Sequence, residues 1–241
     1  VRAVLDSDNE WDRGLWQRVA EMGWTATVIP EAYGGLGLSH YELAILAEEM
    51  GRSVAPLPFS SSVYLASEAI VAFGSEGQKA EWLPKLASGE CVGTVAMWER
   101  PGALTLEQLA TRRLGDSISG VKSPVPDAGV ADVVVVLAHS EAGLEACLVP
   151  MDQAGVQQQS VMTLDASRGH STLTFDHAQA EVLGHSTIEQ CAWERLIDGA
   201  AVMFAWEQLG IAESAPIQPP DHALTRFSFG KAIRSTQAHK P

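Results

Sequence analysis

Apolar residues recur at Trp11, Leu15, Val19 and Met22, a spacing that predicts an amphipathic helix within "EWDRGLWQRVAEMGW". "IPEAYGGLGLS" follows, and its Pro and Gly predict a loop. Ser39, with Glu42 three residues on, predicts a capped helix start, and "HYELAILAEEMGR" carries that helix to near Gly51. "VAPLPF" reads as extended. "SSSVYLASEAIVAFG" predicts another helix with a polar start and a closing Gly. "SEGQKAEWLPKLASGE" predicts a shorter one, opened by Ser75 and Glu76 and ended by Ser88 and Gly89.

The pattern changes at residue 91. "CVGTVAMW", "SISGVKSPV", "ADVVVVLAH", "EACLVPM", "GVQQQSVM" and "STLTFDHAQAEVLG" are short β-rich runs separated by turn residues. They predict a β domain over 91–185, a barrel or sandwich of about six to eight strands. "ADVVVVLAH" is apolar throughout its centre and is expected to be a buried strand. Helical spacing returns in "TIEQCAWERLIDGAAVMFAWEQLGIAESA", with Thr187 as the expected cap. Leu196, Ala200, Met203, Phe204 and Ile211 would form its buried stripe, weakened by Gly199 and Gly210. Pro216, Pro219 and Pro220 each cost a helix interior about 3 kcal/mol, so the helix should break near Ala215 and continue as an extended connection over 216–221. The expected organisation is a helical domain over 1–90, a β domain over 91–185 and the start of a second, incomplete helical domain over 186–241.

Composition adds exclusions. The 241 residues are 46% apolar and 19% charged, enough for a sizeable core. A net charge of −14, with no run of Lys and Arg, argues against nucleic acid or an anionic membrane as partner. No stretch approaches the roughly 18 apolar residues of a membrane span. Cys91, Cys147 and Cys191 are irregularly spaced, which suits packing residues of a reduced protein. With a polar N-terminus lacking a signal-peptide pattern, the expected location is cytoplasmic. Phosphate-loop, dinucleotide, nucleophile-elbow and zinc-protease motifs are absent, and the seven histidines form no compact metal pair, so no metal is expected.

Several segments, in order, resemble the acyl-CoA dehydrogenase family. They are "GWTATVIPEAYGGLGLSHYELAILAEEMGRSVAPLPF", "GSEGQKAEWLPKLASGE", "SGVKSPVPDAGVADVVVVLA", "GVQQQSVMTLDASRGHSTLTFDHAQAEVLG", "EQLGIAES" and "LTRFSFGKAIRSTQAHK", and they cover nearly the whole chain. The resemblance implies an α+β fold: an N-terminal helical domain, a β-barrel or sandwich domain, and a truncated C-terminal helical segment. It also implies FAD as cofactor and oxidation of an acyl-CoA thioester to the 2,3-enoyl form. There a carboxylate removes the α-proton while the β-hydride passes to the flavin. A desolvated base and donors to the thioester oxygen are the physical requirements.

By the same resemblance, cofactor contacts fall in three places. "AMWERPGALT" stands at the first flavin loop, with Met97, Trp98 and Glu99 facing the cofactor; Glu99, Pro101 and Gly102 echo the family wording, Arg100 intrudes, and Leu104 and Thr105 replace Gly and Ser. Pro124, Val125 and Pro126, after Lys122 and Ser123, stand where the family carries an aromatic-aliphatic-Thr triplet. In "RFSFGK", Arg226 would meet the pyrophosphate, Ser228 would add a hydrogen bond and Phe229 would pack by the adenosine, joined by Gln237. In most of the family the base lies further into the C-terminal helical domain, beyond the last residue here; the minority position, on the first helix of that domain, corresponds to Ala200, followed by Ala201, so no catalytic residue is identified. Glu194, Asp198 and Glu207 lie off that position and read as surface or packing-edge carboxylates. The implied partners are an acyl-CoA, other subunits in a homo- or hetero-oligomer (dimer or tetramer), and an electron-accepting flavoprotein. Two alternatives stand beside the dehydrogenase of lipid metabolism: a non-catalytic subunit completing a partner's FAD site, and a flavin oxidase or oxygenase on the same fold.

Overall fold

The computed structural model describes residues 11–100, 106–165, 167–184, 187–215, 227–228 and 231–232. The helical half opens with α1, Arg13–Glu21, capped by the Asp12 carboxylate, which accepts from the Leu15 amide at 2.9 Å. Short 3₁₀ turns follow, Trp24–Ala26 before the Pro/Gly loop and Glu31–Tyr33 within it. Next comes α2, His40–Ser53, with the expected reciprocal cap between Ser39 and Glu42. A π-helical segment, Ser60–Ser67, runs directly into α3, Glu68–Phe73. In α4, Glu76–Ala87, the capping pair is Ser75 with Gln78.

The β half is one eight-stranded sheet, curled around a core of its own. The strands are β1 (Gly93–Ala96), β2 (Arg112–Leu114), β3 (Ser117–Pro126), β4 (Val133–Ser140), β5 (Gly143–Pro150), β6 (Val156–Ser160), β7 (His170–Gln179) and β8 (Glu181–Val182). Their order is β6-β7-β3-β2-β4-β5-β8, with β1 parallel to β4. The short β2 was not visible as an apolar run, because its residues Arg112 and Arg113 are polar. The "STLTFDHAQAEVLG" run divides into β7 and β8.

The apolar run in β4 has the expected cause, burial on both faces. Val133, Val135 and Leu137 join a core shared with the helices, while Val134, Val136 and Ala138 point into the curled sheet. Gln78 ties α4 to the sheet edge: its amide donates to Glu181 at 2.7 Å and to the Val182 carbonyl at 2.8 Å. Two more short strands, β9 (Phe227–Ser228) and β10 (Lys231–Ala232), pair antiparallel near the C-terminus.

The last long helix, α5, spans Gln190–Ser214. Its N-cap is Glu189, with no side-chain capping bond, so the expected role of Thr187 is not realised. The helix ends at Ala215, where the prolines begin; the expected extended connection over 216–221 lies outside the described residues. Trp193, Ala200, Met203, Glu207 and Gly210 are buried along it, whereas Ile211 is exposed. Gly210 is no mere weak point. A Cβ there would sit 1.9 Å from the Glu48 carbonyl oxygen of α2, and a Cβ on Gly51 would sit 1.9 Å from that of Glu207. The two helices therefore cross backbone to backbone. Arg52 reinforces the crossing through Glu213 of α5 at 2.7 Å, and is held in place on its own helix by Glu49 at 3.1 Å and by Glu48.

This crossing separates two glycines of the same helix by experiment. Gly210→Ala gains helix propensity of about 1 kcal/mol but forces α5 off α2, and a net loss of about 2 kcal/mol is expected. Gly199→Ala meets nothing within 4 Å and should stabilise by up to about 1 kcal/mol. Chemical denaturation of both variants checks the contrast; equal effects would contradict the close crossing.

Candidate functional site

The end of β1 is held by a buried ion pair. Lys122, on β3, is fully buried, and its Nζ lies 3.2 Å from Glu99 Oε1 and 3.3 Å from the Met97 carbonyl oxygen. Glu99 also accepts from the Thr111 hydroxyl at 2.6 Å and from the amides of Thr111 and Ala110, each at 2.7 Å. Burial alone would raise the Glu99 carboxyl. The Thr111 hydroxyl, the two amides and Lys122 outweigh it and hold the group down at about 2. Burial lowers Lys122 to about 8, against the opposing pull of Glu99, so the pair is ionised at neutral pH. The Ser123 amide donates to the Trp98 carbonyl at 2.8 Å, which fixes the loop after β1 onto β3.

These contacts sort the residues expected to meet a cofactor. Met97 is buried and Trp98 half-buried, both lining a crevice of about 300 Å³ against α5. Both Glu99 oxygens are engaged, by Ala110 and Thr111 just before β2 and by Lys122. Val125 likewise turns inward, fully buried in the core of the curled sheet. Its neighbours Pro124 and Pro126 are half-buried, and the Pro126 carbonyl accepts from the Thr94 hydroxyl at 2.6 Å. The β3–β7 register shifts between Lys122 and Val125, and there the Ser123 and Thr172 hydroxyls meet at 2.8 Å. Ser123 and Thr172 are single hydroxyls far apart in the chain, so no spacing in the sequence marks them as partners. Arg226, Phe229 and Gln237 lie outside the described residues; Ser228 belongs to β9.

The far wall of the crevice is α5, through Gln190, Trp193, Glu194, Ile197 and Asp198. Trp193 is buried, and its indole N–H has no hydrogen-bond partner among the described residues. A buried donor without a partner is costly unless something fills the role. Trp193 stacks on Phe73, ring centroids 5.9 Å apart at 22°. Phe73 in turn lines a second cavity, of about 440 Å³, between α2, the π segment with α3, and α5. Its walls are mostly apolar, including Leu43, Ala72, Leu196, Gly199, Ala200 and Met203. His40, Glu68 and Arg195 are its charged or titratable members besides Tyr64. His40 Nε2 lies 2.9 Å from Glu68 Oε1. Burial raises the Glu68 carboxyl above its ordinary range, opposed by His40.

Glu194 and Asp198 are exposed, as expected, but Glu207 is only 4% exposed. It is clasped by Arg168, whose other nitrogen donates to Ser60 Oγ at 3.1 Å, so the loop before β7, the π segment and α5 are locked together. Burial would lower Arg168, yet Glu207 holds it above its ordinary value. The Tyr64 hydroxyl lies beside Glu207 without a formed hydrogen bond; burial first, then that carboxylate, raises it. Helical spacing cannot reveal such a partner, because Arg168 is 39 residues away.

The fold has known counterparts. Residues 1–90 match the family described as acyl-CoA dehydrogenase, N-terminal domain. The chain is 29% identical over 241 residues to the acyl-CoA dehydrogenase IpdE2 of Mycobacterium tuberculosis, covering 100% of this chain and 62% of that protein. A solved variant of the Tcur3481-Tcur3483 steroid ACAD superposes with a TM-score of 0.81 at 30% identity, over 99% of this chain and 64% of that one. The ChsE4-ChsE5 complex from Mycobacterium tuberculosis superposes at 0.85 with 25% identity, over 98% and 64%. The chain belongs to the acyl-CoA dehydrogenase family. It spans about 62% of the length of curated relatives such as IpdE2.

The buried pair makes a direct test of the β1 anchor. Glu99→Gln leaves Lys122 charged and buried, and should cost about 3 kcal/mol; adding Lys122→Met should return much of it. The Glu99 carboxyl is depressed from the ordinary 4.5 to about 2. Its contribution is therefore complete above 4.5 and is lost as pH falls toward 2. Denaturation midpoints over that acid window should fall less steeply in Glu99→Gln than in the parent.

Proposed function

We propose that the chain acts in FAD-dependent oxidation of an acyl-CoA thioester to its 2,3-enoyl form, in a cytoplasmic setting. The observation that carries this reading is the pairing of two spaces along α5. The mostly apolar cavity of about 440 Å³ suits an acyl chain, and the crevice of about 300 Å³ beside Met97 and Trp98 suits the edge of a planar ring. The residue types around the crevice fit a flavin. Trp98 offers an aromatic face, and Trp193 a buried donor without a partner among the described residues. Those residues would hold the ring, and Arg226, Ser228, Phe229 and Gln237 would take the pyrophosphate and adenosine end. When bound, the flavin supplies a two-electron acceptor.

The chain's own contribution is binding and exclusion. Leu43, Phe73, Leu196 and Met203 would desolvate the acyl chain, and Arg195 puts a cation at the same cavity for an anionic CoA group. Lys122 and Glu99 keep the loop after β1 in register with β3, so Trp98 is presented to α5 from a fixed backbone.

A second reading is a subunit that completes the FAD site of a homologous partner. It is favoured by Ala200, which lines the cavity without a titratable group, and by the likeness to a solved complex of two named chains. An electron-accepting flavoprotein is part of either reading.

The test combines a visible spectrum with calorimetry. Purified protein should take up FAD and bind a saturated acyl-CoA, and acyl-CoA should diminish the flavin absorption and yield an enoyl product. Ala200→Phe, which fills the cavity, should weaken acyl-CoA binding at least about tenfold, some 1.4 kcal/mol, and leave FAD uptake unchanged. Activity that arises only on adding a homologous chain selects the second reading. A protein that binds neither FAD nor acyl-CoA, alone or with such a partner, defeats both.

A further inference from the structure

We infer that Tyr64 is a specificity-determining residue of the 440 Å³ cavity, and that the acyl group it selects carries a hydroxyl at its far end. The inference rests on the acyl-CoA reading proposed above and narrows its substrate class.

The cavity has an exposed side and a buried one. His40 and Arg195 line it and are exposed. Leu43, Tyr64, Ala200 and Met203 line it and are buried. An acyl-CoA with its anionic end by Arg195 would therefore run its chain inward, toward Tyr64 and Met203.

The helix α5 shows what lies at the inner end. Ala200, Met203 and Glu207 are buried along one face of it, at helical spacing. Ala200 and Met203 line the cavity, and Glu207 follows one turn later. The Tyr64 ring is part of the cavity wall, while its hydroxyl lies beside Glu207. The phenol thus reaches from the apolar wall to a polar end. Its ring is held edge-on against Phe59 and Phe204, with centroids 5.6 Å and 5.8 Å away, so the hydroxyl has a fixed position.

Two polar atoms at that end have no hydrogen bond among the described residues, the Tyr64 hydroxyl and Glu207 Oε1. Arg168 takes the other Glu207 oxygen. Tyr64 is 1% exposed and Glu207 4%, so bulk water does not serve them. Buried polar groups left in this way are costly, and each calls for a partner. Burial, and then the Glu207 charge, keep the Tyr64 proton in place, so the phenol is a donor throughout the neutral range.

A hydroxyl on the ligand answers both atoms at once. It accepts from Tyr64 and donates to Glu207. A ketone could only accept, a carboxylate would meet the Glu207 charge, and a methyl group would leave both protein atoms as they are. A site built from such groups discriminates against a ligand that lacks the matching hydroxyl.

The test compares matched chains. FAD-loaded protein, with any partner it requires and no electron acceptor, is titrated by calorimetry with ω-hydroxyacyl-CoAs of increasing length. Each is compared with the plain acyl-CoA one carbon longer, which has the same number of heavy atoms. At the length that reaches Tyr64, the parent should bind the hydroxylated chain about tenfold more tightly than its plain match. Tyr64→Phe, checked for folding by circular dichroism, should erase that preference and leave the plain chain within about threefold of its parental Kd. A parent that prefers the plain chain at every length would overturn the inference, and this comparison needs no variant. So would a Tyr64→Phe protein that keeps the preference, including one that binds both chains equally less well, which is the mark of a structural role. A parent that binds neither series would instead overturn the acyl-CoA reading beneath it.

Discussion

Burial of β4 on both faces is the constraint on which the remaining packing rests. Val133, Val135 and Leu137 close the core shared with the helices, and Val134, Val136 and Ala138 close the core inside the curled sheet. A polar side chain at any of these six positions would be stranded in one core or the other. The strand also sets its neighbours. β1 runs parallel beside it, and β1 in turn meets the π segment closely: the Gly93 amide donates to Ser62 Oγ at 3.2 Å, and a Cβ on Gly93 would lie 2.6 Å from that of Ala66. The position of Met97 and Trp98 is therefore inherited from β4 through β1, then fixed by Lys122 and Glu99.

The second determinant is the seat of α5. The Gly51–Gly210 crossing brings one end of the helix onto α2, and Arg168 clasps Glu207 from the β side. Toward its other end the two spaces open, on either side of the Phe73–Trp193 stack, while Trp193 and Ala200 stay in the core. A buried Arg–Glu pair is costly to desolvate and adds little net stability, so its value here is in fixing α5 relative to the sheet.

Most elements were legible because they follow from local rules. The Ser39–Glu42 cap, the polar start at Ser75 and the apolar run of β4 are each set by neighbours in sequence. What failed did so for nonlocal reasons. Thr187 has the chemistry of a cap, yet the helix starts at Gln190 behind Glu189. Ile211 fits the helical stripe, yet it lies beyond the Gly210 contact and faces out. Glu207 reads as a surface acid until Arg168 is brought to it. In the candidate site, Met97 and Trp98 line the crevice beside α5. Glu99 and Val125 share the same motifs, but Glu99 is taken up by Ala110, Thr111 and Lys122 and Val125 by the inner core, contacts that no neighbour in sequence announces.

The sequence by itself determined the helices before residue 88, the apolar strands that follow but not the polar β2, the doubly buried β4 and the resemblance that points to a flavin enzyme. Hydrophobic period, capping residues and loop wording are properties of adjacent residues, so they survive without a fold. Only the tertiary structure decided which charges are buried and with whom, that two glycines 159 positions apart in the numbering mark a helix crossing, and that Glu68 shares a cavity with Ala200. Those facts depend on distances between segments remote in the chain, set by how the two cores close around β4.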